Sequence, residues 1–310
     1  MASSADEIQG RIIFPMPNQP NKYFPPPLAL LFATAIWGTV WYPYRLLQAQ
    51  GLPGTPATFL TYLVTFLLAA MFFTKSWREF ARAPLLFVAL AFASGWANYA
   101  YVMGTLEGEV MRVLLLFYLA PVWTVPLARW LLDERASNAS YGVVVLALIG
   151  AVTMLWRPEL GWPLPRDHAD WFGLTAGFAF ALNNVLGRRL GDCGVGAKTL
   201  ASCLGVLAIT GVALLMAGNF DSLTQVPSAT RLYLVVGVGA VLFCSTLMVF
   251  YGVARIPAIR AIVIMLFELV VGAISSHWLA GESLSMREWI GGILIVAATL
   301  FSALPDRKSN

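Results

Sequence analysis

Residues 112–137 read RVLLLFYLAPVWTVPLARWLLDERAS, and residues 260–285 read RAIVIMLFELVVGAISSHWLAGESLS. Laid one over the other without a gap, they put Arg112 on Arg260, Trp130 on Trp278 and Glu134 on Glu282. Outside the quoted stretches the same offset puts Gly104 on Gly252 and Tyr141 on Trp289. Each stretch opens on an arginine, runs mostly apolar, and closes on a tryptophan, an acid and a short polar turn. An apolar run of roughly 17–25 residues matches the hydrocarbon core of a bilayer, where only a helix satisfies its own backbone. The two stretches are therefore read as membrane-spanning helices related by an internal repeat.

Extending the reading outward gives ten apolar runs, near 28–47, 57–74, 84–106, 109–130, 139–156, 171–190, 196–217, 230–253, 258–279 and 286–304. The quoted stretches are the fourth and the ninth. The first run lies over the sixth at a nearby offset, with Arg45 against Arg189. Duplicating five spans, an odd number, turns the second copy upside down in the membrane. The expected fold is an all-α membrane protein of ten transmembrane helices, arranged as two inverted five-helix repeats. The first repeat covers residues 28–156 and the second 171–304, with a periplasmic connecting loop at 157–170. Inverted repeats are a transporter device, because two halves can rock to expose one central site to either side.

Composition supports the same class. The chain is 310 residues long, 59% hydrophobic and 12% charged, with a mean hydropathy of +0.73. A soluble domain carries about 25% charged residues, so lipid must be the solvent for most of this surface. The net charge of +4 comes from basic residues in short connections between apolar runs, the membrane pattern, and no basic run with interleaved aromatics exists to track a nucleic acid. With the N-terminus inside, six basic residues (Arg45, Arg112, Arg157, Arg166, Arg231 and Arg287) fall on the outer side or outer helix ends, and the others, Lys198 among them, in inner segments. Both termini are expected in the cytoplasm. Residues 1–27 read as a cytoplasmic tail without the apolar core of a cleavable signal, entering the first helix through Pro25-Pro26-Pro27, and residues 305–310 as a second tail. Three scattered cysteines and two histidines require neither disulfides nor a metal, and no cofactor is expected.

The Ile36-Trp37-Gly38 of the first span, the duplicated five-span unit and the Pro…Trp…Glu pattern that ends the fourth resemble the drug/metabolite transporter (DMT) superfamily. Within it the chain is similar to the EamA-type exporter family. The local matches are LFYLAPVWT (residues 116–124), MLFELV (265–270) and LAGE (279–282), within a resemblance that covers about residues 28–304. It implies secondary, proton-linked export of small metabolites such as amino acids, or of amphipathic drugs and dyes, at the bacterial inner membrane. One departure stands out. The family's second half often carries a Glu-Pro pair in its ninth helix, whereas here Glu268 precedes Leu269. The first half has Pro121 but Ala120 where the acid would fall, so the residue that would break span 9 is absent.

Glu268 lies mid-span with no basic residue within a turn. Carboxyls in hydrocarbon are costly and usually face a cavity or a partner. The functional reading makes Glu268 the group that exchanges a proton for substrate; the structural alternative is a protonated acid bonding a neighbouring helix. Arg112 and Arg260 occupy matching positions. Either can anchor a substrate carboxylate or snorkel to headgroups, Arg260 shares a face with Glu268 two turns away, and Arg112 can pair with Glu109 at i,i+3. Trp37 and Trp41 of span 1, and Trp96 and Tyr99 of span 3, form aromatic stripes suited to lining a pocket or to helix packing. Trp162 and Trp171 suit an interfacial belt. Asn183 and Asn184 in span 6 either glue helices or contact substrate. Tyr118 and Met265, inside the family-like motifs, complete the candidate substrate set. The partners expected are a small-molecule substrate, protons and the lipid bilayer, with the chain a monomer or homodimer. An intramembrane enzyme is disfavoured, since the spans carry no HExxH, no GxGD and no Ser/His pairing. A passive facilitator or an importer of the same fold is the rival reading.

Overall fold

The structure, a computed structural model, describes residues 24–52, 54–135, 137–157, 159, 164–218, 223, 228–281 and 283–303. Most of the N-terminal tail, the C-terminal tail, Trp162, Glu282 and part of the 157–170 connection lie outside the described residues. Those described form helices and their turns, with no strand among them.

The chain opens with α1 (Pro26–Thr39) and α2 (Trp41–Ala49), parted at Val40, then α3 (Gly54–Phe72) and a 3₁₀ segment at Thr74–Arg82. There follow α4 (Pro84–Glu107), α5 (Val110–Phe117), α6 (Ala120–Leu132), α7 (Asn138–Leu155) and α8 (His168–Arg189). The last five are α9 (Val195–Ala217), α10 (Ala229–Val253), α11 (Ala258–Met265), α12 (Phe267–Ala280) and α13 (Met286–Ala303). Capping explains several starts: Ser137, Asp167 and Ser228 accept the amides of Ser140, Asp170 and Arg231. Gly218 and Gly281 end α9 and α12 in the left-handed region.

Eight of these helical stretches are long and apolar enough to cross a membrane, with α5–α6 and α11–α12 each counted as one span. The first and sixth expected spans are not among the eight. Span 1 is interrupted at Val40, which leaves α1 with 14 residues. Span 6, α8, carries His168, Asp170, Asn183, Asn184, Arg188 and Arg189, which dilute its hydropathy. Yet α8 is central, packing on α4, α5, α6, α10 and α11.

Water does not drive helices together in lipid, so small residues at close crossings do. Helix directions follow from which residues meet. Along α4 and α8, Ser94 meets Asn183 while Gly104 meets Phe172, so the two are antiparallel. Likewise, Gly150 meets Ile295 and Met154 meets Gly291, so α7 and α13 are antiparallel. Gly173 meets Val113 and Gly177 meets the Phe117 carbonyl, so α8 runs parallel to α5. Gly38 meets Val271 and Trp41 meets Ser275, so span 1 runs parallel to α12. The helix α9 is antiparallel to α3 (Phe73 on Gly196, Phe59 on Gly211) and parallel to α4 (Ser94 with Ser202, Gly95 with Ile209). Finally α3 is parallel to α10, with Val64 on Gly239 and Phe72 on Phe243.

Candidate functional site

Besides span 1, two spans are broken in mid-course, and the candidate site lies where their breaks face each other. In the α5–α6 span Pro121 has no N–H to return to the Phe117 carbonyl, and the helix restarts at Ala120 after Tyr118 and Leu119. In the α11–α12 span the helix is interrupted at Leu266, although no proline is present. There the Leu269 amide bonds the Leu266 carbonyl at 3.0 Å, a three-residue turn. The absence of the family-like proline therefore does not keep span 9 continuous. Next to the break, the Glu268 carbonyl lies so close to Gly38 that a Cβ there would sit 2.7 Å from its oxygen. Tyr118 and Leu266 are matched positions of the internal repeat.

Glu268 occupies the first turn of α12, where the helix dipole favours a carboxylate. The phenol of Tyr118, itself 5% exposed, faces its carboxyl, and Tyr101 is within electrostatic reach. Phe117 and Phe180 pack beside them with ring centroids 5.3 Å apart. On the same apolar cluster lies Trp96, 6.1 Å from Tyr99 and 6.2 Å from Phe172. Met265 ends α11 and is buried. Glu268 and Tyr118 meet where the two breaks face each other, Met265 directly precedes one break, and Trp96 packs on the same apolar cluster.

The other candidates are engaged in holding helices. Arg112 does not need Glu109 as its acid: its Nε lies 2.6 Å from Asp170 Oδ2, both side chains being buried, and its Nη2 donates to the Leu164 carbonyl. Arg260 turns its Nε to the Ser302 carbonyl at 2.7 Å, toward the end of α13. Trp41 donates its indole N–H to Ser275 Oγ at 2.9 Å, and Ser275 donates to the Gly38 carbonyl. Trp37 packs with Tyr62, Cys203 and Val238. Asn183 accepts from Ser94 Oγ at 2.5 Å, and Ser202 donates to the same serine at 2.8 Å. Asn184 differs. It is 1% exposed and neither atom of its amide has a hydrogen-bond partner.

Sequence reasoning missed three features. Asp170 is the partner of Arg112 across 58 positions. Glu134 bonds Arg188 through one oxygen and the Ala258 amide through the other at 2.9 Å, joining α6, α8 and α11 at one end. Lys198, counted with the basic residues of the inner side, is fully buried in the first turn of α9. A signal existed for the second alone, since Glu134 closes the repeated motif. Two clefts, of about 340 and 380 Å³, lie at Arg129, Glu134, Arg135 and Tyr141 and beside the Val40 break.

A bundle of apolar helices in which two broken spans meet at Glu268 fits a multi-pass membrane transporter. The chain belongs to the EamA-like transporter family, whose model matches residues 26–156 and 168–304. It is 26% identical over 286 residues, 88% of this chain and 94% of the other, to an uncharacterized transporter of Archaeoglobus fulgidus. It shares its fold with a protein of known crystal structure at a TM-score of 0.70 and 17% identity, over 89% of this chain and 96% of that one.

Proposed function

We propose that the chain is a secondary active transporter of ten transmembrane helices in two inverted five-helix repeats, exporting a small amphipathic metabolite, such as an amino acid, or a drug. It does so across the bacterial inner membrane, with both termini cytoplasmic, in exchange for protons. The observation that carries this reading is Glu268, set in the first turn after one helix break and facing Tyr118 at the matching break of the other half.

The inverted repeat has independent support. Helices α5 and α11 have the same length and end at matched positions, Phe117 and Met265. Matched helices run oppositely: α7 against α13 directly, and α4 against α10 by way of α9 and α3. The two stretches matched by the family model fall on the same two halves. Two such halves can open one mid-membrane site alternately to either side, and a carboxyl there takes up a proton on one side and releases it on the other. Trp96, Tyr99, Tyr118, Asn184 and Met265 are the residues placed to meet the cargo. Trp37, Trp41, Asn183, Arg112 and Arg260 position the helices around it.

The test is flux in proteoliposomes, with and without an imposed pH gradient, across a panel of amino acids, dyes and quaternary amines. Concentrative, gradient-driven flux that Glu268→Gln abolishes is the expected result. Flux that only runs downhill makes the protein a passive facilitator, and normal pH-driven flux in Glu268→Gln removes the proton role.

A further inference from the structure

Lys198 is fully buried, and among the described residues its Nζ has no hydrogen-bond or ion-pair partner. An ammonium out of water costs several kcal/mol unless a counter-charge meets it. The neighbouring acids do not bond it: Glu79 accepts the Gly194 amide at 2.6 Å, and Asp192 is exposed in the turn before α9. The other charges around it add to the positive field. Arg255, within electrostatic reach, sits 3.8 Å over the ring of Tyr251, and Arg82 acts on the adjoining Cys193.

The setting is polar along one direction and aromatic along another. One turn further on α9, on the same face, is Ser202, which donates to Ser94, which in turn donates to Asn183. Lys198 thus lies one turn from a buried polar file that joins α9, α4 and α8. Phe80 and Phe87, stacked at 4.6 Å, share an apolar cluster with Ala201, which follows Lys198 by three positions on the same side of α9. A cation with a polar track on one side and rings on the other suits an anion that has an apolar body.

We propose that Lys198 binds the carboxylate of an amphipathic organic anion, the aromatic side receiving its apolar part. In the naming of that anion as cargo the proposal rests on the transport reading; the anion site itself does not. Because Nζ is sealed, the carboxylate enters when the joined ends of α8 and α9 part from their neighbours.

The experiment is calorimetric titration of the protein in phosphatidylcholine nanodiscs, which carry no net anionic lipid. The probes are benzoate, phenylalanine and inorganic phosphate, set against benzamide and phenylalaninamide. Expected is binding of a carboxylate but not of its amide, weakened roughly thirty-fold or more in both Lys198→Gln and Lys198→Met. The wild-type comparison decides even where a variant fails to fold: a carboxylate that binds no better than its amide overturns the proposal. So do phosphate binding more tightly than either carboxylate, and folded variants that bind as the wild type does. If carboxylate preference is missing while Glu268-dependent flux is present, this site falls alone. If the preference is present and flux missing, the transport reading falls alone.

Discussion

Breaking the pair that joins α5 to α8 decides whether Arg112 positions helices or waits for cargo. Its Nε lies 2.6 Å from Asp170 Oδ2, with side-chain exposures of 6% and 2%. The same oxygen also accepts the Arg166 amide at 2.9 Å, and the guanidinium reaches the Leu164 carbonyl. Removing one partner of so deep a pair strands the other charge away from water, at a cost of about 3–5 kcal/mol. Arg112→Gln and Asp170→Asn should therefore each destabilise by about that amount. The double variant should cost about as much as either single one, because the second change strands nothing further. Equilibrium unfolding in mixed micelles, followed by tryptophan fluorescence, measures all three. Additive losses, or single losses under about 1 kcal/mol as for exposed pairs, would refute the structural role and return Arg112 to the list of substrate anchors.

Gly205→Ala should destabilise by at least about 1–3 kcal/mol, since its Cβ would lie 1.7 Å from the Ala91 carbonyl oxygen, whereas Gly237→Ala, with nothing within 4 Å, should be neutral or slightly stabilising in the same unfolding assay. Trp41→Phe removes the bond to Ser275 and should cost about 0.5–1.5 kcal/mol, with reduced flux read in proteoliposomes. Glu134→Gln should cost only about 1 kcal/mol, because that pair is 22–23% exposed, yet its loss should speed maleimide labelling of half-buried Cys193 near the same end.

Most helices were legible because a membrane span writes its length into the sequence as an apolar run, and the duplicated Arg, Gly, Trp and Glu are what support the proposed repeat. The break in span 4 could be read from Pro121. The break at Leu266 could not, because no proline or glycine marks it in the sequence. Partners chosen by tertiary packing were equally hidden: Glu109 was the local candidate for Arg112, but Asp170, 58 positions away, holds it, and Trp41 finds Ser275 at a separation of 234. Lys198 falls inside the seventh apolar run, 196–217, but its burial was not legible, because hydropathy does not show that α9 is enclosed from its first turn.

The polar contacts are distributed unequally over the two halves, and the inequality bears on the proposed cycle. Helix α8 is tied to α5–α6 by a charged pair at each end, Arg112 with Asp170 and Arg188 with Glu134. Its counterpart, the join of span 1 to α12, rests on lighter contacts: the Trp41–Ser275 bond and the close approach of Gly38 to Glu268. Glu268 is therefore carried by the softer join, where a shift of span 1 would change the setting of its carboxyl without breaking an ion pair. At the Glu134 end, the Ala258 amide and the Ala254 carbonyl add α10 and α11 to the tie. Lys198 lies near that end, just past the turn that follows Arg189. Opening that end must release Arg188 and the start of α11 together, so exposure of Lys198 and a change at Glu268 on the same α11–α12 span would be coupled through one helix.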